Sequence, residues 1–507
     1  MKNNRTKNAA KNIVFGLLLK IIQIVIPFCI RTVMLYYLNA EYVGLNNLFT
    51  SILQVLNLAE LGVGSAMVYC MYKPVIEKDE TKICALMKLY KIYYRVIGFV
   101  ILVTGILLCP FIPNLIKGTI PSGLNIYILY ILNLMATVLS YWLFAYKNAV
   151  IQAHQRNDII SKITIIVNLI QYFLQFIAIC VYKNYYMFII LNLLGQCAIN
   201  VLISNASSKL YPNYNAVGTI KQIEKKEINK KVGDIFTAKL GMVIVNSVDS
   251  IVISAFLGLT SLAIYQNYYY ILSAIIGIIS VIFASCTSGM GNSIILESKE
   301  KNYNDLKKFT FIIAGIACIC VCCFLNLFQD FMTLWVGNDL LLNFGCVVCF
   351  CIYFWVYEMN TLLTTYKDAA GIWNKDKFRP LLTALTNLIL NLILVNYIGI
   401  YGIIISTILS FVVIGTPWLL RNLFTEVFKK NAKEYVIDLI KYAIVAVIMC
   451  LITFVICSFI KTNLLFAIII KGFVSSIVSG LMWLIIFRNK KEMKASFKMI
   501  MRIIKRS

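Results

Sequence analysis

SSKLYPNYNAVGTIKQIEKKEINKKVGDIF, residues Ser207–Phe236, is the longest polar stretch in the chain, and it separates two long halves that are both strongly apolar. On either side of it, runs of about eighteen or more apolar residues follow one another. Of the 507 residues, 60% are hydrophobic and only 14% charged, too few polar groups to cover a water-soluble body of this size. The solvent around most of the chain is therefore lipid. With no water to satisfy backbone N–H and C=O groups, each run must close its hydrogen bonds internally, which selects helices; a transmembrane barrel would need short alternating strands instead.

Windows of about twenty apolar residues predict about fourteen transmembrane helices, near 12–37, 44–70, 89–112, 124–146, 162–182, 186–206, 237–258, 263–288, 309–329, 342–366, 380–398, 401–420, 438–460 and 464–487. The basic start, MKNNRTKNAAK, is like the head of a signal peptide, but the apolar run from Asn12 to Leu38 is too long and has no small-residue cleavage site, so it reads as a retained first span. Fourteen spans put both ends on one side. Lys and Arg in short loops stay in the cytoplasm, and the loops on the N-terminal side, with the two tails, hold roughly 36 of the 47 Lys and Arg. The opposite loops hold Lys117, Lys183 and Lys461. Both termini are thus expected to be cytoplasmic, and the asymmetry checks the count, because one helix too many or too few would mix the charges. The net charge of +25 is mainly a topology signal that also favours anionic lipid headgroups; it does not read as a nucleic-acid footprint.

The expected organisation is an N-terminal six-helix bundle (1–206), a cytoplasmic linker (207–236), a C-terminal six-helix bundle (237–420), an additional helix pair (421–487) and a basic cytoplasmic tail (488–507). A weak internal repeat supports the two halves. YLNAEYVGLNNLFTSIL (Tyr37–Leu53) aligns with FLGLTSLAIYQNYYYIL (Phe256–Leu272) at an offset of 219 residues, which also sets Lys20 on Lys239. Duplication of this kind is common in secondary transporters, whose two bundles rock about a site between them.

Ionisable groups inside spans cost about 2.5–3.5 kcal/mol to insert, so they mark partners or wet cavities. Lys20 lies about twelve ångströms into the first span, too deep for easy escape to the surface. Arg31 follows eleven residues later, about three turns on, and either shares that face or reaches the outer headgroups. Lys88, Lys91 and Arg95 form an i, i+3, i+7 stripe at the start of the third span; the first two fit snorkelling, and Arg95 is the ligand candidate. Lys239 opens the seventh span, and Lys471 lies in the last. Three acids are embedded as well: Glu60 in NLAELGVGS, Asp249 in NSVDSIVIS and Glu358 in WVYEMNTLL. Each either neutralises a neighbouring cation or serves a coupling ion or proton, and Gly62 and Gly64 would allow a kink beside Glu60. Cations exceed acids, which suits an anionic ligand such as a diphosphate. The tyrosines of IYQNYYY (Ile264–Tyr270) either stack on sugar faces or simply pack.

The 16 cysteines sit mostly in apolar runs such as ACICVCC (Ala317–Cys323) and lack paired-ligand spacing and partner histidines, so no metal site and no cofactor are expected. His154 reads as a solvated loop residue. There is no GxxxxGK[ST] phosphate loop, so movement of any cargo is passive, driven by product removal, or coupled to an ion gradient.

Three segments resemble a known family: LNLAELGVGSAMVYCMYKPVIEKDE (Leu56–Glu80), SIVISAFLGLTSLAIYQNYY (Ser250–Tyr269) and TTYKDAAGIWNKDKFRPLLTALTNLILNLILVNYIGIYGIIISTILS (Thr364–Ser410). They look like the Wzx-type polysaccharide flippases (O-antigen, capsule or exopolysaccharide) of the multidrug, oligosaccharidyl-lipid and polysaccharide exporter superfamily. The resemblance implies a V-shaped, two-bundle fold in the bacterial inner membrane. It also implies alternating access that carries undecaprenyl-diphosphate-linked oligosaccharide to the outer leaflet, where polysaccharide polymerase machinery would take it. Basic residues lining the cavity of such flippases bind the anionic head, a role that would fall here to Lys20, Arg31, Arg95 and Lys239. A peptidoglycan-precursor flippase would share this chemistry. A drug or metabolite exporter of the same superfamily would favour a dominant embedded acid, and a membrane polymerase or glycosyltransferase would need larger outer loops than FMTLWVGNDLL (Phe331–Leu341).

Overall fold

The computed structural model describes residues 2–118 and 120–496, and of these all side chains except those of residues 2–10, 13, 234, 235, 237–239, 242, 246, 284, 285 and 288. Every regular element among them is helical. Twelve helices or helix runs are long and apolar enough to cross a membrane, and a bent pair makes a thirteenth candidate. The chain is an all-helical, multi-pass membrane protein. It divides into two compact units, Met1–Ala263 and Ile264–Ser507.

The first unit holds α1 (Lys2–Leu38), α2 (Ala40–Leu56), α3 (Val63–Glu77), α4 (Glu80–Leu108), α5 (Ile126–Trp142), α6 (Tyr146–Ala153), α7 (Asn157–Cys180), α8 (Tyr185–Leu210), α9 (Gln222–Leu257) and the first residues of α10 (Leu259–Leu296). Side chains that can close on free N–H groups start several of these helices: Asp79 accepts from Lys82 N, Asn125 from Tyr127 N and Ile128 N, and Asn184 from Met187 N. Helix α1 packs on α7, α2 on α9, α4 on α5, and α8 on both α5 and α7. The tightest approach of backbone to backbone lies at Gly44 of α2, where a Cβ would stand 2.1 Å from the Leu259 carbonyl oxygen. Only glycine lets these backbones meet.

The second unit holds the rest of α10, then α11 (Lys299–Val336), α12 (Phe344–Ala369), α13 (Trp373–Asp376), α14 (Arg379–Ile398), α15 (Ile400–Ser410), α16 (Thr416–Asn422), α17 (Lys433–Ser458) and α18 (Leu464–Ile486). Helix α11 is its hub, packed on α12, α17 and α18, while α14 lies along α15. An aromatic knot of Phe311, Tyr442, Trp483 and Phe487 ties α11 to the last two helices. The span from Ile400 to Phe428 widens into π-helical turns at Phe411–Gly415 and Leu423–Phe428.

Several predicted spans are not straight rods. The window 44–70 is broken by a 3₁₀ turn at Asn57–Glu60 and by Gly62 at φ 93°, so the kink expected beside Glu60 is present. The window 124–146 bends by 52° between α5 and α6, where Phe144 takes φ 59°. The long polar stretch that separates the halves is mostly helical, with only 211–221 lying between α8 and α9. The 219-residue repeat has a backbone counterpart. Asn39 (φ 81°, ψ 166°) separates α1 from α2, and Gly258 (φ 92°, ψ 172°) separates α9 from α10 at that same offset. Gly118 and Gly337 are likewise 219 apart and both have positive φ, 95° and 81°.

Candidate functional site

In the first unit, the break between α2 and α3 exists because Gly62 can adopt a left-handed conformation, and it lowers Glu60 into a ring of hydroxyls. Tyr94 donates to Glu60 Oε1 at 3.1 Å, and Tyr90 donates to the Tyr94 hydroxyl at 2.5 Å. Tyr141 stands edge-on to Tyr94 and donates to Asn57 Oδ1. Gly64 completes the fit, since a Cβ there would lie 3.1 Å from both Glu60 Oε1 and the Tyr90 hydroxyl. A carboxylate held by a relay of phenols can exchange a proton or take part in holding a cation without a large rearrangement.

Of the four cations expected to face cargo, Lys20 and Arg95 have exposed side chains. Arg31 is half-buried, and its guanidinium donates to the Ala263 carbonyl at 3.4 Å. The side chain of Lys239 lies outside the described residues. Asp249 is buried in α9, two positions from Ser247, which donates to Gln54 Oε1 across to α2.

In the second unit, Glu358 is 1% exposed, and neither of its carboxyl oxygens has a hydrogen-bond partner among the described residues. Lys471, by contrast, is neutralised: its ammonium sits 2.6 Å from Asp330 on α11. Tyr268 of the IYQNYYY stretch is fully enclosed, donating to Gln329 and accepting from Leu342 N, so packing accounts for it. Tyr265, Tyr269, Tyr353 and Tyr357 form a continuous line of rings leading to the residue before Glu358.

Two buried charge clusters were not anticipated. Asp158, wholly buried at the start of α7, takes Arg156 Nε at 3.0 Å and has Lys162 Nζ at 3.9 Å. Asn12 of α1 closes this cluster, accepting from Asp158 N and donating to Gln155 O. In the second unit Asp376 takes a two-pronged bond from Arg379, at 2.7 and 2.9 Å, with Lys367 at 3.4 Å. From there a polar seam runs between α14 and α15, Asn387 donating to Thr407 and Asn391 to Asn387. The signal lay in the KDAAGIWNKDKFRP segment (Lys367–Pro380), where lysines, aspartates and an arginine fall close enough in sequence to pair with one another. His154 also differs from expectation. Its ring lies 4.2 Å from that of Tyr211, tilted by 31°, its Nδ1–H meets the Val150 carbonyl, and burial pushes its pKa below the usual imidazole value. Among the described residues, no group of three or more His, Cys, Asp or Glu side chains is arranged to hold a metal ion.

No protein-family model matches the sequence, and no curated protein does. Solved structures do match. The structure described as lipid II flippase MurJ in an inward closed conformation superposes with a TM-score of 0.66 at 15% identity, over 94% of this chain and 99% of that one. An inward-facing multidrug resistance MATE family transporter of the MOP superfamily gives 0.61 at 14% identity, over 83% of this chain and 99% of that one. A MATE protein in a bent conformation gives 0.51 at 14%, over 82% and 95%. The chain has the fold of the MOP-superfamily transporters. Within that MOP fold, Glu60 sits at a helix break and Glu358 inside a closely packed helix, two different environments for two embedded acids.

Proposed function

We propose that the chain is a flippase that carries undecaprenyl-diphosphate-linked oligosaccharide repeat units from the cytoplasmic to the outer leaflet of the bacterial inner membrane by alternating access. The observation that supports this over an exporter is the reach of the structural likeness. MurJ, described as a lipid II flippase, matches 94% of the chain against 83% for the MATE transporter, a difference about the size of the α17–α18 pair. The sequence resemblance to Wzx-type flippases points the same way and selects an oligosaccharide cargo. No step in this reading makes or breaks a covalent bond; the protein acts as a transporter, not an enzyme.

In this reading there are fourteen spans, with the bent α5–α6 pair and the apolar part of α9 (Val243–Leu257) each counted as one, and both termini are cytoplasmic. The bundles are 1–206 and 237–420, joined by 207–236 and followed by the helix pair 421–487 and the tail 488–507. Lys20, Arg31, Arg95 and Lys239 bind the diphosphate, which repays their insertion cost. The 219-residue offset aligns Lys20 of the first bundle with Lys239 of the second. Glu60, in its phenol relay, couples the cycle to a cation or proton, while Asp249 and Glu358 are the remaining coupling or pairing acids. An ion shifts the inward and outward populations only by binding one more tightly than the other.

The test is translocation of lipid-linked oligosaccharide in reconstituted vesicles. Lys20→Ala and Lys239→Ala should slow it at unchanged yield of folded protein, and Glu60→Gln should abolish any response to imposed proton or sodium gradients. Wild-type rates in both lysine variants would remove those residues from the site. The enclosed carboxyl of Glu358 favours a second reading, a drug or metabolite exporter. Efflux of an organic cation that needs Glu358, in vesicles that flip no lipid-linked sugar, would establish that reading instead.

A further inference from the structure

We infer that the end of the span Ile400–Phe428 that carries Arg421, with Lys375 of α13 beside it, holds a pocket for the phosphodiester headgroup of an anionic phospholipid, a site independent of whichever cargo the protein moves. The pocket, about 620 Å³, lies in the second unit, within the size range of small-ligand sites. Its lining changes character along the helix. Val413, Pro417 and Arg421 are spaced four apart, passing from apolar to cationic as the span ends, the gradient that a membrane interface demands.

The cationic end is built rather than incidental. Trp418 Nε1 donates to the Lys375 carbonyl at 3.1 Å, and Asn422 donates to that same carbonyl at 3.3 Å, which fastens α13 beside α16. An indole in this position, apolar in body and polar at the tip, is the usual anchor at headgroup depth. The Lys375 ammonium pairs with Glu426, whereas Arg421 is exposed and has no ion-pair partner among the described residues. Among the lining side chains Arg421 is therefore the cation left over, with a fork of donors that fits two phosphate oxygens at once. Lys429, whose charge also acts on Glu426, adds to the positive field that a phosphodiester would meet here. Val412 and Val413, 47% and 59% exposed, offer an apolar surface to the first carbons of the acyl chains. Trp418 and Arg421, three apart in α16, share one face, and π-helical turns, a feature frequent at functional sites, flank that helix on both sides.

The test is native mass spectrometry of the full chain released from detergent with phosphatidylglycerol or phosphatidylcholine. Wild-type protein should retain phosphatidylglycerol preferentially. Arg421→Gln should lower that retention about tenfold, the scale of a lost charge-assisted pair of hydrogen bonds, and Arg421→Lys should fall between. Lys73→Gln, removing an exposed cation on α3, should leave retention unchanged. Thermal melts without added phospholipid should coincide for wild type and Arg421→Gln, which excludes misfolding as the cause. The proposal is overturned if Arg421→Gln binds like wild type, or if Lys73→Gln loses as much, since that would mean unspecific charge. Displacement of the lipid by equimolar glycerophosphoglycerol, which has no acyl chains, would assign the pocket to a soluble phosphodiester and overturn the lipid assignment.

Discussion

Replacing Lys471 by Met separates a structural staple from a cargo ligand. The lysine lies seven residues into α18, about 10 Å from its first turn, and its ammonium meets Asp330 of α11 at 2.6 Å, with the two side chains 18% and 25% exposed. At an effective dielectric of about 20 the attraction at that separation is about 6 kcal/mol, most of it offset by taking two ions out of water. Removing one partner strands the other charge, which costs about 3–5 kcal/mol for an enclosed pair. Because both side chains keep some exposure, the low end, about 3 kcal/mol, is expected for Lys471→Met. The double variant Lys471→Met with Asp330→Leu should return to within about 1 kcal/mol of wild type, since the desolvation penalty goes with the pair. Unfolding of the purified chain by SDS, followed by circular dichroism, gives the free energies. Translocation by the double variant should match wild type. The reasoning fails if Lys471→Met is as stable as wild type, or if the double variant is stable yet inactive, for then the ammonium serves the cargo.

Gly44→Ala would place a Cβ 2.1 Å from the Leu259 backbone oxygen, so α2 and α10 must separate; a loss of about 2–3 kcal/mol is expected, read as a lower melting temperature in detergent. Arg379→Met strips Asp376, almost wholly enclosed, of its two-pronged partner and should cost about 3 kcal/mol in the same assay, the low end for a stranded charge because Lys367 still faces it at 3.4 Å, with Arg379→Lys recovering only part because an ammonium cannot reproduce the fork. His154 has its pKa depressed by burial, so the unfolded chain takes up a proton before the folded one does as the pH falls. Stability should be full above about 6.5 and decline below it until the folded pKa is passed, and His154→Gln should flatten that part of the curve in melts measured against pH.

Much of the architecture was legible because lipid leaves a chain few choices. Apolar length alone located the helices, since an unpaired peptide group is too costly in hydrocarbon to permit anything else. Gly62 announced the break beside Glu60, and the offset of 219 residues found in the letters recurs in the backbone at Asn39 and Gly258. The bend at Phe144 had no such sign, because SYWLFAY contains neither glycine nor proline and the left-handed residue is aromatic. Lys471 and Asp330 are 141 positions apart, and nothing local to either says they meet. His154 read as a loop residue because the rings that cover it, Tyr211 and Tyr214, come from the segment just past the end of α8, more than fifty residues away.

Composition and the order of apolar runs determined by themselves that the chain is a helical membrane protein, since that follows from hydrogen-bond satisfaction along one dimension. Only the tertiary structure decided which embedded charges are spent on one another. Pairing depends on which faces of distant helices are brought together, and the cost of a charge in lipid is the same whether its partner is a neighbouring helix or a passing ligand. Thus Lys471, Arg379 and Asp158 proved to be engaged within the protein, while Glu358 stands enclosed without a hydrogen-bond partner among the described residues.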